Sequence, residues 1–142
     1  MTLRVRIAVV EDEALIAFDL CDAVEVRGYV VAGPYSTLEA AYRAHATVPF
    51  DGAVVDETLP DGTSDALVRR LVAEGVPTVI HTGSGAIDDV RRRHPDVPVL
   101  AKPALADDVL DALEKAFGRD RPRTGIGLPA KAAPPRTTVV RF

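Results

Sequence analysis

Four short apolar runs each end in a residue able to do chemistry. Val5–Val10 runs into Glu11-Asp12-Glu13, Ala53–Val55 into Asp56, Val76–His81 into Thr82, and Pro98–Ala101 into Lys102-Pro103. If the runs are neighbouring strands of one sheet, these residues meet along one edge. Glu11, Asp12 and Asp56 would then repel one another, because like charges this close cannot all ionise without compensation. Two compensations fit. One is a hard divalent cation: Mg²⁺ (or Mn²⁺) takes oxygen ligands, one or two carboxylates together with waters and phosphate oxygens. The other is Lys102. A carboxylate nucleophile, a cation site, a lysine and the Thr82 hydroxyl around one strand end would make a phosphoryl-transfer site. Each residue alone has a plainer use. Glu11 and Asp12 could face the dipole of the next helix, Asp56 and Thr82 could cap helices, and Lys102 could be a solvated loop residue. Their coincidence at four strand ends favours chemistry.

The elements that must position them follow from periodicity and turn residues. Strands are expected at Val5–Val10, Tyr29–Ala32, Ala53–Val55, Val76–Thr82 and Pro98–Ala101, as continuous β-branched runs bounded by Gly, Pro and Asp. Helices are expected at Ala14–Arg27, from a Ser36 N-cap with Glu39 in capping-box spacing to about His45, at Asp65–Glu74, at Ala86–Arg93 and at Ala106–Phe117, where Gly118 stops the last. Strict alternation with short connections predicts an α/β fold: a flavodoxin-like (βα)5 three-layer sandwich with a parallel five-stranded sheet of order 2-1-3-4-5. The switch point of that order lies between the first and third strands and brings Glu11 and Asp12 beside Asp56.

The 142 residues, 47% of them hydrophobic, suffice for one domain with a sizeable core. Residues 1–119 hold 20 acidic and 12 basic side chains, a net of −8; residues 120–142 hold one acidic and five basic, a net of +4. A folded domain at 1–119 and a basic, Pro-containing, flexible extension at 120–142 are expected, with 137–142 able to add to a sheet edge. The acidic body argues against nucleic acid as a ligand, and no apolar run suggests stable membrane association. A single cysteine, Cys21, and the lack of a signal-peptide pattern fit a cytoplasmic protein.

The order Val9-Val10-Glu11-Asp12-Glu13, Val55-Asp56-Glu57-Thr58-Leu59-Pro60-Asp61-Gly62, Thr82-Gly83 and Leu100-Ala101-Lys102-Pro103 resembles the receiver domain of bacterial two-component response regulators, over about residues 4–118. The resemblance implies that Asp56 is the phospho-acceptor. It also implies that Asp12 and Asp56 ligate Mg²⁺ with the backbone carbonyl of Thr58, and Glu11 acts through water. Lys102 would contact phosphoryl oxygens, and Thr82 would turn inward to bind the attached group. Many receivers carry an aromatic two residues before the lysine; here it is Leu100. The stretch Pro77-Thr78-Val79-Ile80-His81-Thr82-Gly83-Ser84-Gly85 is partly similar to a subgroup of stand-alone alphaproteobacterial receivers with a Pro-Phe-x-Phe-Ala-Thr-Gly-x-Gly pattern.

A single-domain response regulator follows as the expectation. A histidine kinase or histidine phosphotransfer protein would supply the phosphoryl group. Output would be a protein contact or onward relay, with no enzymatic turnover of a metabolite. A homodimer through the face of the fourth helix, fifth strand and fifth helix fits the same reading; Arg91-Arg92-Arg93 reads as a solvated helix end, with contact to an acidic partner face, such as Asp107, Asp108 and Asp111 of a second copy, as the alternative. The competing reading is a receiver-like binding module independent of phosphorylation. A flavodoxin-like cofactor binder is disfavoured because Glu11-Asp12-Glu13 would repel a flavin phosphate, and a small hydrolase because it would need a substrate pocket and more loop. Alternation along a strand turns His81 away from the site if Thr82 faces it, which gives His81 a structural role; His45 and His94 are expected on the surface.

Overall fold

The apolar runs are buried on both of their faces, which is why they read as continuous rather than alternating. In the computed structural model, which describes residues 4–119, β1 (Arg6–Val10), β2 (Val30–Tyr35), β3 (Gly52–Asp56), β6 (Thr78–Thr82) and β7 (Val99–Ala101) form one parallel sheet of order β2-β1-β3-β6-β7. Two short strands, β4 (Thr58–Leu59) and β5 (Gly62–Thr63), make a separate antiparallel hairpin around Pro60-Asp61. With that hairpin set aside, the order is the expected 2-1-3-4-5 of a flavodoxin-like fold.

Alternate residues feed two cores. Ile7, Val9, Val54 and Val79 pack on one face against Leu20 and Val24 of α1 (Ala14–Val26) and Val109, Leu110 and Leu113 of α5 (Ala106–Arg119). Ala8, Val10, Val55 and Ile80 pack on the other against Ala41 of α2 (Leu38–Thr47), Leu67 and Leu71 of α3 (Asp65–Ala73) and Val90 of α4 (Ile87–Arg93). After Gly83 a three-residue 3₁₀ turn, Ser84–Ala86, leads into α4. Arg27, at the end of α1, reaches Asp107, Asp111 and Glu114 of α5 at 3.0–3.1 Å and ties the two helices together.

Several boundaries differ from the sequence reading. The N-cap of α2 is Thr37, not Ser36: its hydroxyl accepts the Ala40 N–H at 3.2 Å, and the Asp61 carboxylate from the β4–β5 hairpin accepts the Leu38 and Glu39 N–H groups at 2.9 and 3.1 Å. β2 continues through Gly33-Pro34 to Tyr35, so the helix starts later than the Ser-x-x-Glu spacing suggested. Gly28 and Gly75 end α1 and α3 at φ +89° and +78°, where only glycine is unstrained. Gly118 has no positive φ, and α5 runs through it to Arg119. The extension 120–142 lies outside the described residues, as does its segment 137–142. Among the described residues no helix is long and apolar enough to cross a membrane.

Two histidines expected on the surface are buried. His45 Nδ1 accepts the Phe50 N–H at 3.0 Å, which puts its proton on Nε2, 2.6 Å from Glu74 Oε1. His94 Nε2 lies 2.7 Å from Asp65 Oδ1. Both rings replace backbone or carboxylate hydration with internal hydrogen bonds, so their polarity misled the surface assignment. His45→Ala should orphan the buried Phe50 N–H and lower unfolding free energy by about 1–3 kcal/mol, read by urea denaturation.

Candidate functional site

Topology alone gathers the strand-end residues. β3 lies between β1 and β6, so Asp56, at the end of β3, has Glu11 and Asp12 on one side and Thr82 on the other. Glu11, Asp12 and Asp56 present carboxylate oxygens within 4.8 Å of one another. Glu11 is 3% and Asp56 7% exposed, while Asp12 is open to solvent. Lys102, on the cis Lys102-Pro103 step after β7, reaches across β6. Its Nζ lies 3.0 Å from Asp56 Oδ2, 3.2 Å from Glu11 Oε1 and 3.2 Å from Glu13 Oε1. The Glu13 backbone N–H donates to Glu11 Oε2 at 3.0 Å. Thr58, two residues beyond Asp56, lines the same open cavity of about 560 Å³ as Glu13, Asp56, Thr82 and Lys102.

Electrostatics follow from that crowding. Burial is the main reason the Glu11 carboxyl is pushed up to about 7, with the Asp56 charge adding to it; the Glu13 N–H and Lys102 pull the other way. Burial opposes the Lys102 charge, but its bond to Asp56 and the charges of Asp56 and Glu11 outweigh that, so its pKa is raised. Glu11 Oε1 is buried and accepts no hydrogen bond, although the Lys102 ammonium stands 3.2 Å away at a poor angle. An underused buried oxygen in a set of three carboxylates is a hard donor set, and it fits a divalent cation of the Mg²⁺ or Mn²⁺ class.

The remaining contacts were not foreseen. Thr82, fully buried, donates its hydroxyl to Glu57 Oε1 at 3.0 Å. Glu57 Oε2 in turn accepts from Arg93 at 2.9 Å. Arg93 also pairs with Asp65 and Asp89, so the expected solvated arginine cluster holds only in part: Arg93 is turned inward. Asp107 and Asp111, cast as acids for a second copy, pair with Arg27 of their own chain. No local signal marks the Glu57–Arg93 pair, whose members lie 36 residues apart. His81 is in register with Asp56 and Leu100 rather than remote from the site. Both of its ring nitrogens are buried without a hydrogen-bond partner, and burial, followed by the Lys102 charge, holds its pKa below the usual value.

A doubly wound parallel sheet with carboxylates on two adjacent strand ends and a lysine closing over them defines a receiver-type signalling domain. No family model matches the chain. SdrG from Sphingomonas melonis Fr1 is 36% identical over 80% of this chain and 99% of that one, with a TM-score of 0.66. The signal receiver domain of a modulated diguanylate cyclase from Desulfovibrio desulfuricans G20 is 28% identical over 84% and 98%, with a TM-score of 0.71. Transcriptional regulatory protein PdtaR of Mycobacterium tuberculosis is 27% identical over 128 residues; the match takes 85% of this chain but spans only 60% of that protein. The chain belongs to the response-regulator receiver family.

The raised Glu11 pKa has a consequence for stability. An acid that holds its proton more tightly when folded loses stability as pH rises from the unfolded value, about 4.5, through the folded value, about 7. In EDTA, Glu11→Gln should therefore gain on the wild type between about pH 5 and pH 8, by on the order of 1–2 kcal/mol after solvent screening. Urea denaturation at the two pH values checks it; an equal difference at both would contradict the burial argument.

Proposed function

We propose that this domain is a response-regulator receiver that accepts a phosphoryl group on Asp56 from a histidine kinase or histidine phosphotransfer protein. The observation that carries the reading is the Lys102 ammonium held 3.0 Å from the carboxylate of Asp56 at the carboxyl edge of the sheet. An Asp56 oxygen would attack phosphorus and form the new P–O bond. The P–N bond of the donor phosphohistidine would break, its electron pair returning to the imidazole, which takes up a proton from water. Lys102 would shift its ammonium from carboxylate to phosphoryl oxygens, and the Thr82 hydroxyl would donate to another of them. Hydrolysis of the acyl phosphate, slow and without any metabolite substrate, would reset the domain.

Asp12 and Asp56 would hold Mg²⁺ (or Mn²⁺) together with the Thr58 carbonyl, with Glu11 acting through water. When bound, the cation supplies charge neutralisation for the transferring group. Residues 1–119 would form the receiver unit and 120–142 an extension to it. Output would be a protein contact on the face of α4, β7 and α5, with a second copy of the chain as one candidate occupant, or passage of the phosphoryl group onward.

Incubation with acetyl phosphate and Mg²⁺, followed by intact mass, should show the gain of one phosphoryl group in the wild type. The gain should vanish in EDTA and in Asp56→Ala, and Lys102→Ala should slow it by at least about tenfold. A wild type that stays unlabelled while a known receiver is labelled would overturn the proposal and leave a fixed binding module.

A further inference from the structure

We propose that Glu57 and Arg93 are positioning residues that keep the Thr82 hydroxyl in reserve and carry its release to α4. This rests on the reading of Asp56 as the phospho-acceptor. A threonine hydroxyl has one proton to donate, and an ionised carboxylate can only accept. The 3.0 Å bond from Thr82 to Glu57 Oε1 therefore commits that proton. Thr82 can serve a phosphoryl group on Asp56 only by leaving Glu57.

What Glu57 does next is constrained on both sides. Its backbone is pinned: the Glu57 N–H donates to the His81 carbonyl at 3.1 Å, and the Ser64 N–H donates to the Glu57 carbonyl at 2.8 Å. Only its side chain can answer the loss of a donor. The remaining partner of that side chain is Arg93, the last residue of α4, 2.9 Å from Glu57 Oε2. The same guanidinium bonds Asp65 on α3 and, through Nε and Nη2, Asp89 Oδ2 at 3.1 and 3.0 Å. Guanidinium offers five N–H donors in a planar fork that matches a carboxylate on both oxygens. Once Thr82 withdraws, Arg93 is the group in reach of the freed Glu57 oxygen. Closing on both oxygens draws it from Asp65 and Asp89 and so moves the end of α4. Leu100 brings no polar atom to such a link; the Glu57–Arg93 pair supplies it by a charge-assisted bond.

Two measurements test it. Without any phosphoryl donor, Thr82→Val keeps the β-branched shape and removes the hydroxyl. It should shift the Arg93 Nε–H resonance and the amides of residues 87–93 in ¹⁵N-resolved NMR spectra; unshifted signals would overturn the link. Beryllofluoride with Mg²⁺, a stand-in for the phosphoryl group, is then titrated into the wild type, Glu57→Ala, Thr82→Val and the double variant. Glu57→Ala should bind about tenfold more tightly than the wild type, with Glu57→Gln between them, and the gain should disappear in the Thr82→Val background. An equal gain in both backgrounds would mean that Glu57 acts only as a nearby negative charge, and the proposal falls. Failure of the folded wild type to bind at all would remove the phospho-acceptor reading and this proposal with it.

Discussion

One ammonium group faces more negative charge than it can neutralise, and the site is built around that imbalance. Lys102 lies within 3.2 Å of carboxylate oxygens from Asp56, Glu11 and Glu13, with Asp12 in the same cluster. A pair of unit charges 4 Å apart interacts by about 4 kcal/mol at an effective dielectric near 20, whichever the signs. One cation against four acids cannot balance such terms, and the Asp56 charge adds to the burial that raises the Glu11 pKa. Even with Glu11 protonated the group stays net negative. A second cation would relieve it, and a cation plus lysine could then accept a dianionic phosphoryl group. The sheet order makes the imbalance unavoidable, because β1 and β3 are neighbours, Glu11 and Asp12 follow β1, and β3 ends in Asp56.

The two layers of helices are anchored unequally. α5 buries Val109, Leu110, Leu113 and Ala116, and Arg27 of α1 bridges three of its acids. α4 buries Val90 alone and is held at its end by the Arg93 bonds to Glu57 and Asp65. Apolar anchorage resists displacement along its whole surface, whereas a polar clamp can be opened by changing one partner. A change at Asp56 is therefore most easily expressed at α4, whose clamp shares Glu57 with Thr82.

Local features made much of this legible. Buried parallel strands announce themselves as β-branched runs, their ends are marked by acids, Thr-Gly and Lys-Pro, and alternation with helices leaves few topologies. Asp56, Glu11, Asp12 and Lys102 were readable because each sits at the end of its strand or within two residues of it. What escaped was non-local. Thr37 takes the N-cap from Ser36 where β2 runs on to Tyr35 and where Asp61, more than twenty residues on, caps the helix as well. His45 and His94 are buried because Glu74 and Asp65 wait for them across a helix pair. Glu57 finds Arg93 through the stacking of β3, β6 and α4, which no spacing in the chain encodes. Gly118 carries a stop signal that α5 does not use.

The most direct test is to locate the acyl phosphate. Borohydride reduction of the phosphorylated protein converts an aspartyl phosphate to homoserine, and peptide mass spectrometry then reads its position. The account predicts homoserine at position 56 and nowhere else. Reduction at another carboxylate, such as Asp12 or Glu57, or a borohydride-inert phosphoryl group on a histidine, would contradict it.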